Sequence, residues 1–169
     1  MNGYQKGPPQ KPPRPLSPVD TAGPSDLEDL IWFLHDMRTE IADGEVDEEV
    51  VVALARTLIE RDGGVALIVR GKDKIEASLG LKFEQPLLRR RPQLRVVWNC
   101  VSPESRTTTG HAKSLLLRAR DIANGLRCTL TVEEFGPDLN PERATGKAKL
   151  IARHMTPVGY LFRHVPEVA

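Results

Sequence analysis

Between Val65 and Glu84 the apolar pattern changes period, and that change limits the fold more than any other feature of the chain. Val65 to Val69 is apolar throughout. After a turn at Gly71 to Asp73, Ile75, Ala77, Leu79, Leu81 and Phe83 alternate with Glu76, Ser78, Gly80, Lys82 and Glu84. A period of two on both sides of a tight turn predicts an antiparallel hairpin. Upstream the period is helical. Ser25-x-x-Glu28 reads as a capping box before Leu27, Leu30, Ile31, Leu34 and Met37, and a second helix is expected from Asp47 to Arg61. Asp47 is its N-cap, Val51, Leu54, Ala55 and Leu58 form its stripe, and Gly63 is its stop. Downstream the pattern predicts a strand at Leu94–Val101 and a helix at Gly110–Asn124 with Leu116, Ala119, Ala123 and Leu126 as its seam. A strand at Thr129–Glu133, a helix at Pro141–His154 and a strand at Gly159–Val165 follow. A hairpin followed by a strand-helix-strand crossover predicts an α/β (α+β) fold: a mixed, mostly antiparallel central sheet with helices on both faces.

A chain of 169 residues, 40% of them hydrophobic, suffices for one ordinary core, expected over residues 25–169. Seven of the 14 prolines fall in residues 1–24, which predicts an extended, flexible arm. Lys6-x-x-Pro9-x-x-Pro12 and Pro9-x-x-Pro12-x-Arg14 have the form that aromatic-lined grooves recognise, so the arm is either a tether or a docking segment for a protein partner. Lys+Arg 24 against Asp+Glu 23 leaves a formal net charge of +1, without the field of a bulk polyanion binder. The apolar runs are too short to span a membrane, the first residues lack a signal-peptide core, and Cys100 and Cys128 form neither a disulfide framework nor a zinc site. A reducing, cytoplasmic setting is expected. His35, His154 and His164 show no metal-ligand spacing, and no metal is expected.

Chemistry concentrates in VVWNCVSPESRTTTGHAKSLLLRAR, an apolar strand that runs through a short polar loop into an amphipathic helix. The first amides of a helix lack intrahelical partners and the aligned peptide dipoles favour negative charge there, so this is an anion-binding arrangement. Thr107, Thr108, Thr109, Gly110 and Ala112 are small enough to admit a phosphate, and Arg106 and Lys113 add positive charge. The alternative for a threonine-rich loop is helix capping alone.

The run Val101-Ser-Pro-Glu-Ser-Arg106 followed by Thr107-x-x-Gly110-x-Ala112 resembles the acyl-CoA pyrophosphate loop of the GNAT N-acetyltransferase superfamily. WNCVSPESRTTTGHAKSLLLRARDIANGL and KAKLIARHMTPVGYLF look like a branch of small GNAT proteins of bacteriophages and prophages, which would place the protein in a host cytoplasm or on a virion. The resemblance covers residues 26 to 165. It implies an acyl-CoA-dependent N-acyltransferase that moves an acetyl group from acetyl-CoA to a primary amine. Asn99, Cys100 and Val101 would pair with the pantetheine arm, and the amides of Thr108 through Lys113, His111 included, would hold the pyrophosphate. Leu94–Val101 and Thr129–Glu133 would splay apart to admit the thioester.

Two departures stand out. From Arg106 to Gly110 the loop is one residue longer than the commonest form, and the position of the family's acidic tyrosine falls at Leu150-Ile151, where isoleucine has no proton to give. Tyr160, Cys100 or a water would have to replace it. Glu133 and Glu134, at a strand end, are the candidate bases, with Glu84 another, against the plainer reading of solvated acids. Cys100 and Cys128 are expected in the core and Trp98 either there or on a pocket wall. The rival to the enzyme is a degenerate GNAT-like binding module docked on a larger assembly through its arm. A third reading has Arg89, Arg90, Arg91 and Arg95 meeting nucleic acid, against which stands the absence of interleaved aromatics. A homo-oligomer is left open.

Overall fold

The computed structural model describes residues 15–37, 47–85, 92–106, 109–132 and 146–154. The chain divides into two compact units, Met1–Glu133 and Glu134–Ala169. The first holds β1 (Asp20–Thr21), α1 (Leu27–Asp36), α2 (Glu48–Ile59), β2 (Gly64–Arg70), β3 (Ile75–Glu84), β4 (Gln93–Val101), α3 (His111–Gly125) and β5 (Thr129–Thr131). In the second, α4 (Gly146–His154) is described and carries Ile151, half-buried.

The five strands stand in the order β1-β2-β3-β4-β5. The first four run antiparallel to their neighbours, and β5 joins β4 in parallel after the α3 crossover. The expected mixed sheet is thus present. Its alternation sorts the apolar side chains to two faces. Ala66, Ile68, Trp98 and Cys100 pack with Leu30, Phe33, Leu34, Ala55 and Leu58 of α1 and α2. Leu67, Val69, Ala77, Leu79 and Leu81 pack with Leu115, Ala119 and Ala123 of α3. Trp98 fills the first core rather than a pocket wall: its ring lies over Gly80, where an added Cβ would come within 2.7 Å of it.

Asp47 caps α2 as expected, accepting from the amides of Glu49 and Val50. Gly63 follows at φ 74°, a left-handed conformation that glycine adopts without penalty. The start of α1 differs from the expected Ser25 capping box. A 3-10 turn over Pro24–Asp26 precedes the helix, and the Asp26 carboxylate reaches back 2.8 Å to the Gly23 amide. Aspartate succeeds there because Arg70 sits 2.6 Å from its other oxygen.

Residues 17–22, assigned to the arm by composition, enter the fold. Asp20 and Thr21 pair with Ile68 and Leu67, and Ala22 is buried. An edge strand needs backbone complementarity more than side chains, so proline content concealed this contact. Cys128 lies in the turn before β5, not on the strand, with its thiol 3.5 Å from the Leu126 carbonyl.

Candidate functional site

β4 is paired differently along its two edges. The inner edge follows β3 from Glu84↔Gln93 to Ala77↔Val101. The outer edge meets β5 at Gln93↔Thr129, Leu94↔Leu130 and Arg95↔Thr131, and from Val96 to Val101 no strand covers it among the described residues. The change coincides with a bulge: Gly80 opposes Trp98 and Leu81 opposes Val96, so Val97 has no partner on β3. A bulge bends its strand and increases the local twist, which separates β4 from a neighbour that does not share it.

Peptide geometry fixes what the open edge presents. The Ser102 amide donates to the Glu76 carbonyl at 2.8 Å, toward β3, so the Val101 carbonyl of the same planar peptide points outward. Strand alternation sends the backbone N–H and C=O of Asn99 outward as well. Arg106 folds back to donate from Nε to the Val101 carbonyl at 2.9 Å. Glu104, in the same turn, is held below the usual carboxylate range by its own amide, the Ser102 hydroxyl and nearby Lys74.

The open edge leads into the start of α3. The Thr109 amide and hydroxyl both donate to the Ser105 carbonyl, at 3.1 and 2.7 Å, and Gly110 occupies the N-cap. Glycine has no side chain with which to cap the first amides. The first turn of α3 contains no acid and includes Lys113, whereas α1 begins with Glu28 and Asp29 and α2 with Glu48 and Glu49. Helix amides without a capping oxygen, beside a lysine, favour an anion.

The structure places several anticipated residues together: Asn99, Cys100 and Val101 on the partly open strand, and Arg106, Thr109, Gly110, Ala112 and Lys113 around the helix start. Cys100 turns its side chain into the α1/α2 core. The resemblance places the His111 amide at the anion; the residue is 6% exposed and its ring is engaged at both nitrogens. Nδ1 lies 2.7 Å from Ser17 Oγ and Nε2 lies 2.8 Å from Glu76 Oε2. The ring clasps the N-terminal segment and β3 to α3, so its backbone amide is what it can offer the site. Ser17 and Glu76 gave no sequence signal for this role. Glu84 accepts from Gln93 at 3.2 Å and pairs with Arg95 at 3.7 Å, which assigns it to the sheet. Thr107, Thr108, Glu133, Glu134, Tyr160, the Arg89–Arg91 run, His164 and the expected strand at 159–165 lie outside the described residues.

A separate hollow of about 190 Å³ lies between α1, the β2–β3 turn and the segment after β4. Asp29, Asp36, Glu104 and the indole of Trp32 line it, with Lys74 paired to Glu104 at 3.8 Å. Among the described residues no three His, Cys, Asp or Glu side chains converge as a metal site requires, and no helix is long and apolar enough to cross a membrane.

No family model and no curated protein matches the sequence. Solved structures do match. A possible acetyltransferase from Clostridium difficile aligns over 92% of this chain and 100% of its own, with a TM-score of 0.67 at 18% identity. A ribosomal-protein-alanine N-acetyltransferase from Brucella melitensis covers 88% and 99%, with a TM-score of 0.63 at 13% identity. A GNAT family acetyltransferase from Staphylococcus aureus covers 87% and 97%, with a TM-score of 0.59 at 14% identity. The chain has the GNAT acetyltransferase fold.

Proposed function

We propose that the protein is an acyl-CoA-dependent N-acyltransferase, with acetyl-CoA as donor and a primary amine as acceptor. One observation carries this reading: the outer edge of β4 opens at Val96 and leads to a glycine-capped, acid-free helix start. The open edge offers main-chain donors and acceptors to an amide-bearing arm, and the helix start offers amides to a pyrophosphate. The amine would attack the thioester carbonyl, forming the C–N bond as the C–S bond breaks, and the thiolate would leave with a proton. Positioning supplies most of the rate in such a reaction. Glu133 or Glu134 is the proposed base and Tyr160 the proposed acid, since Ile151 cannot donate a proton.

Calorimetric titration with acetyl-CoA, paired with a thiol-release assay against mixed amines, tests the proposal. Gly110→Asp sharpens it. Gly110 has φ −97° and ψ 14°, which any residue can adopt, and aspartate is a strong N-cap. The variant should keep or slightly raise its stability while CoA affinity falls at least about tenfold, because the carboxylate takes the amides and repels the phosphates. Unchanged affinity would show that the loop is misassigned. The isoleucine also favours a second reading, a GNAT-like module that binds without transferring and docks through residues 1–14. Tight CoA binding with no thiol release from any amine, together with a partner lost on deleting those residues, would select it.

A further inference from the structure

The hollow beside α1 and the first residues of the chain are complementary in charge and in shape, and the acyl-CoA reading uses neither. Trp32 is 64% exposed, the most of any large apolar side chain among the described residues, and it lines the hollow. Asp29 and Asp36 stand three and four positions from it, on the same helix face, and Pro103, Glu104 and Lys74 complete that part of the lining. Three carboxylates thus meet one ammonium. Neither Asp29 nor Asp36 forms a salt bridge among the described residues, and Arg70, whose charge Asp29 feels, is held by Asp26 at 2.6 Å. Residues 1–14 have the opposite character: Lys6, Lys11, Arg14, four prolines and no acid. Three residues per turn of a polyproline helix would place Lys6, Pro9 and Pro12 on one edge and Lys11 and Arg14 on the next. This segment joins the fold close to the hollow. Ser17 Oγ lies 2.7 Å from His111 Nδ1, His111 Nε2 lies 2.8 Å from Glu76, and Glu76 follows Ile75 of the lining.

We propose that residues 1–14 dock in this hollow of their own chain, with Pro9 and Pro12 against the Trp32 ring and Lys11 and Arg14 paired to Asp29 and Asp36. A proline-rich segment is suited to such a site because its preferred conformation leaves little entropy to lose on docking, and an aromatic ring flanked by acids matches prolines flanked by bases. Exposed ion pairs contribute little each. Covalent attachment makes the weak contacts sufficient, since a short tether supplies an effective concentration of about millimolar, well above that of a second copy's segment in dilute solution. Docking of this kind is independent of the acyl-CoA reading. It would make the hollow a place where any partner of residues 1–14 has to compete with the chain itself.

Acrylamide quenching of tryptophan fluorescence in the full chain tests the docking. The two tryptophans report separately, because Trp98 is 4% exposed and shielded whatever the segment does. In a full-length variant carrying K6E, K11E and R14E, the accessible component should be quenched about twofold more steeply than in the parent at low salt, since a ring freed on one face meets the quencher on both. A synthetic peptide of residues 1–14 should reverse the change, and Trp98 remaining shielded shows that the variant is folded. Raising salt to about 1 M should free the ring in the parent without any substitution. Equal quenching of parent and variant, or a parent indifferent to salt, would overturn the proposal. Protection by the peptide that persists after D29N and D36N are added to the variant would place the segment elsewhere and overturn it as well. Quenching of the parent that falls as protein concentration rises about a hundredfold would make the occupant a second copy's segment, and docking within one chain would be wrong.

Discussion

Trp98 and Asn99 are consecutive buried residues of β4 that each carry a polar group, yet the two faces of the sheet treat those groups oppositely. On the α1/α2 face the Trp98 indole donates to Ser78 Oγ at 3.0 Å, and that hydroxyl donates to the Leu67 carbonyl at 3.0 Å. Each group is satisfied from within the sheet. On the α3 face the Asn99 carbonyl has nothing. The first face behaves as a closed core, and the second is a core whose edge is left open beside an uncapped helix. A satisfied polar group and an orphaned one thus lie on opposite sides of one strand.

The contrast breaks most visibly at Trp98. Trp98→Ala removes a ring that is 4% exposed and packed against Gly80, so unfolding in denaturant should show a loss of about 3–5 kcal/mol. A loss below about 1 kcal/mol would mean that this face can collapse around the gap and is not the closed core described.

Asp26 tests the same face at its rim. Burial alone would raise its pKa, but the Gly23 amide and Arg70 outweigh burial and hold it below the ordinary 3.8. A depressed carboxylate contributes stability above its unfolded value and loses it as pH falls through the folded one. Asp26→Ala should therefore cost about 1–3 kcal/mol near neutrality, with the gap to the parent protein narrowing below about pH 4. Denaturant midpoints taken from pH 7 down to 3 would show it, and a gap independent of pH would remove the ionic part of the argument.

Ser78→Ala probes the satisfied network with little change of volume. It leaves the Trp98 N–H without an acceptor in a buried site, at about 1–2 kcal/mol. If the variant were as stable as the parent, the indole would have found another partner and the two faces would differ less than drawn here.

Periodicity read the closed face well and the open one only in outline. The stripes of α1 and α2, the Asp47 cap and the β2–β3 hairpin follow from residue spacing, because burial of apolar side chains decides them. The glycine at the head of α3 was legible for a related reason: strand, small polar loop and amphipathic helix leave a local pattern. The clasp of His111 to Ser17 and Glu76 joins residues 94 and 35 positions apart, and such polar contacts have no period. Composition likewise hid the pairing of Asp20 and Thr21 with β2, since a backbone ladder needs few particular side chains. Asn99 was an intermediate case. The resemblance singled out its main chain, but only the register showed which face its side chain occupies, and only the structure that its carbonyl has no partner there.

The smallest expected effect is the most discriminating one. If the Asn99 carbonyl is held without a donor, replacing it by leucine removes a desolvation penalty and adds apolar contact with the α3 core. N99L should then be as stable as the parent in the absence of ligand, or more stable by about 1 kcal/mol. Trp98 and Ser78, buried to a similar depth, should show losses instead. Thermal melts of the three variants in ligand-free buffer make the comparison directly. A destabilised N99L would mean that the carbonyl already has a partner in solution, such as a trapped water, and the α3 face would then be as closed as its opposite.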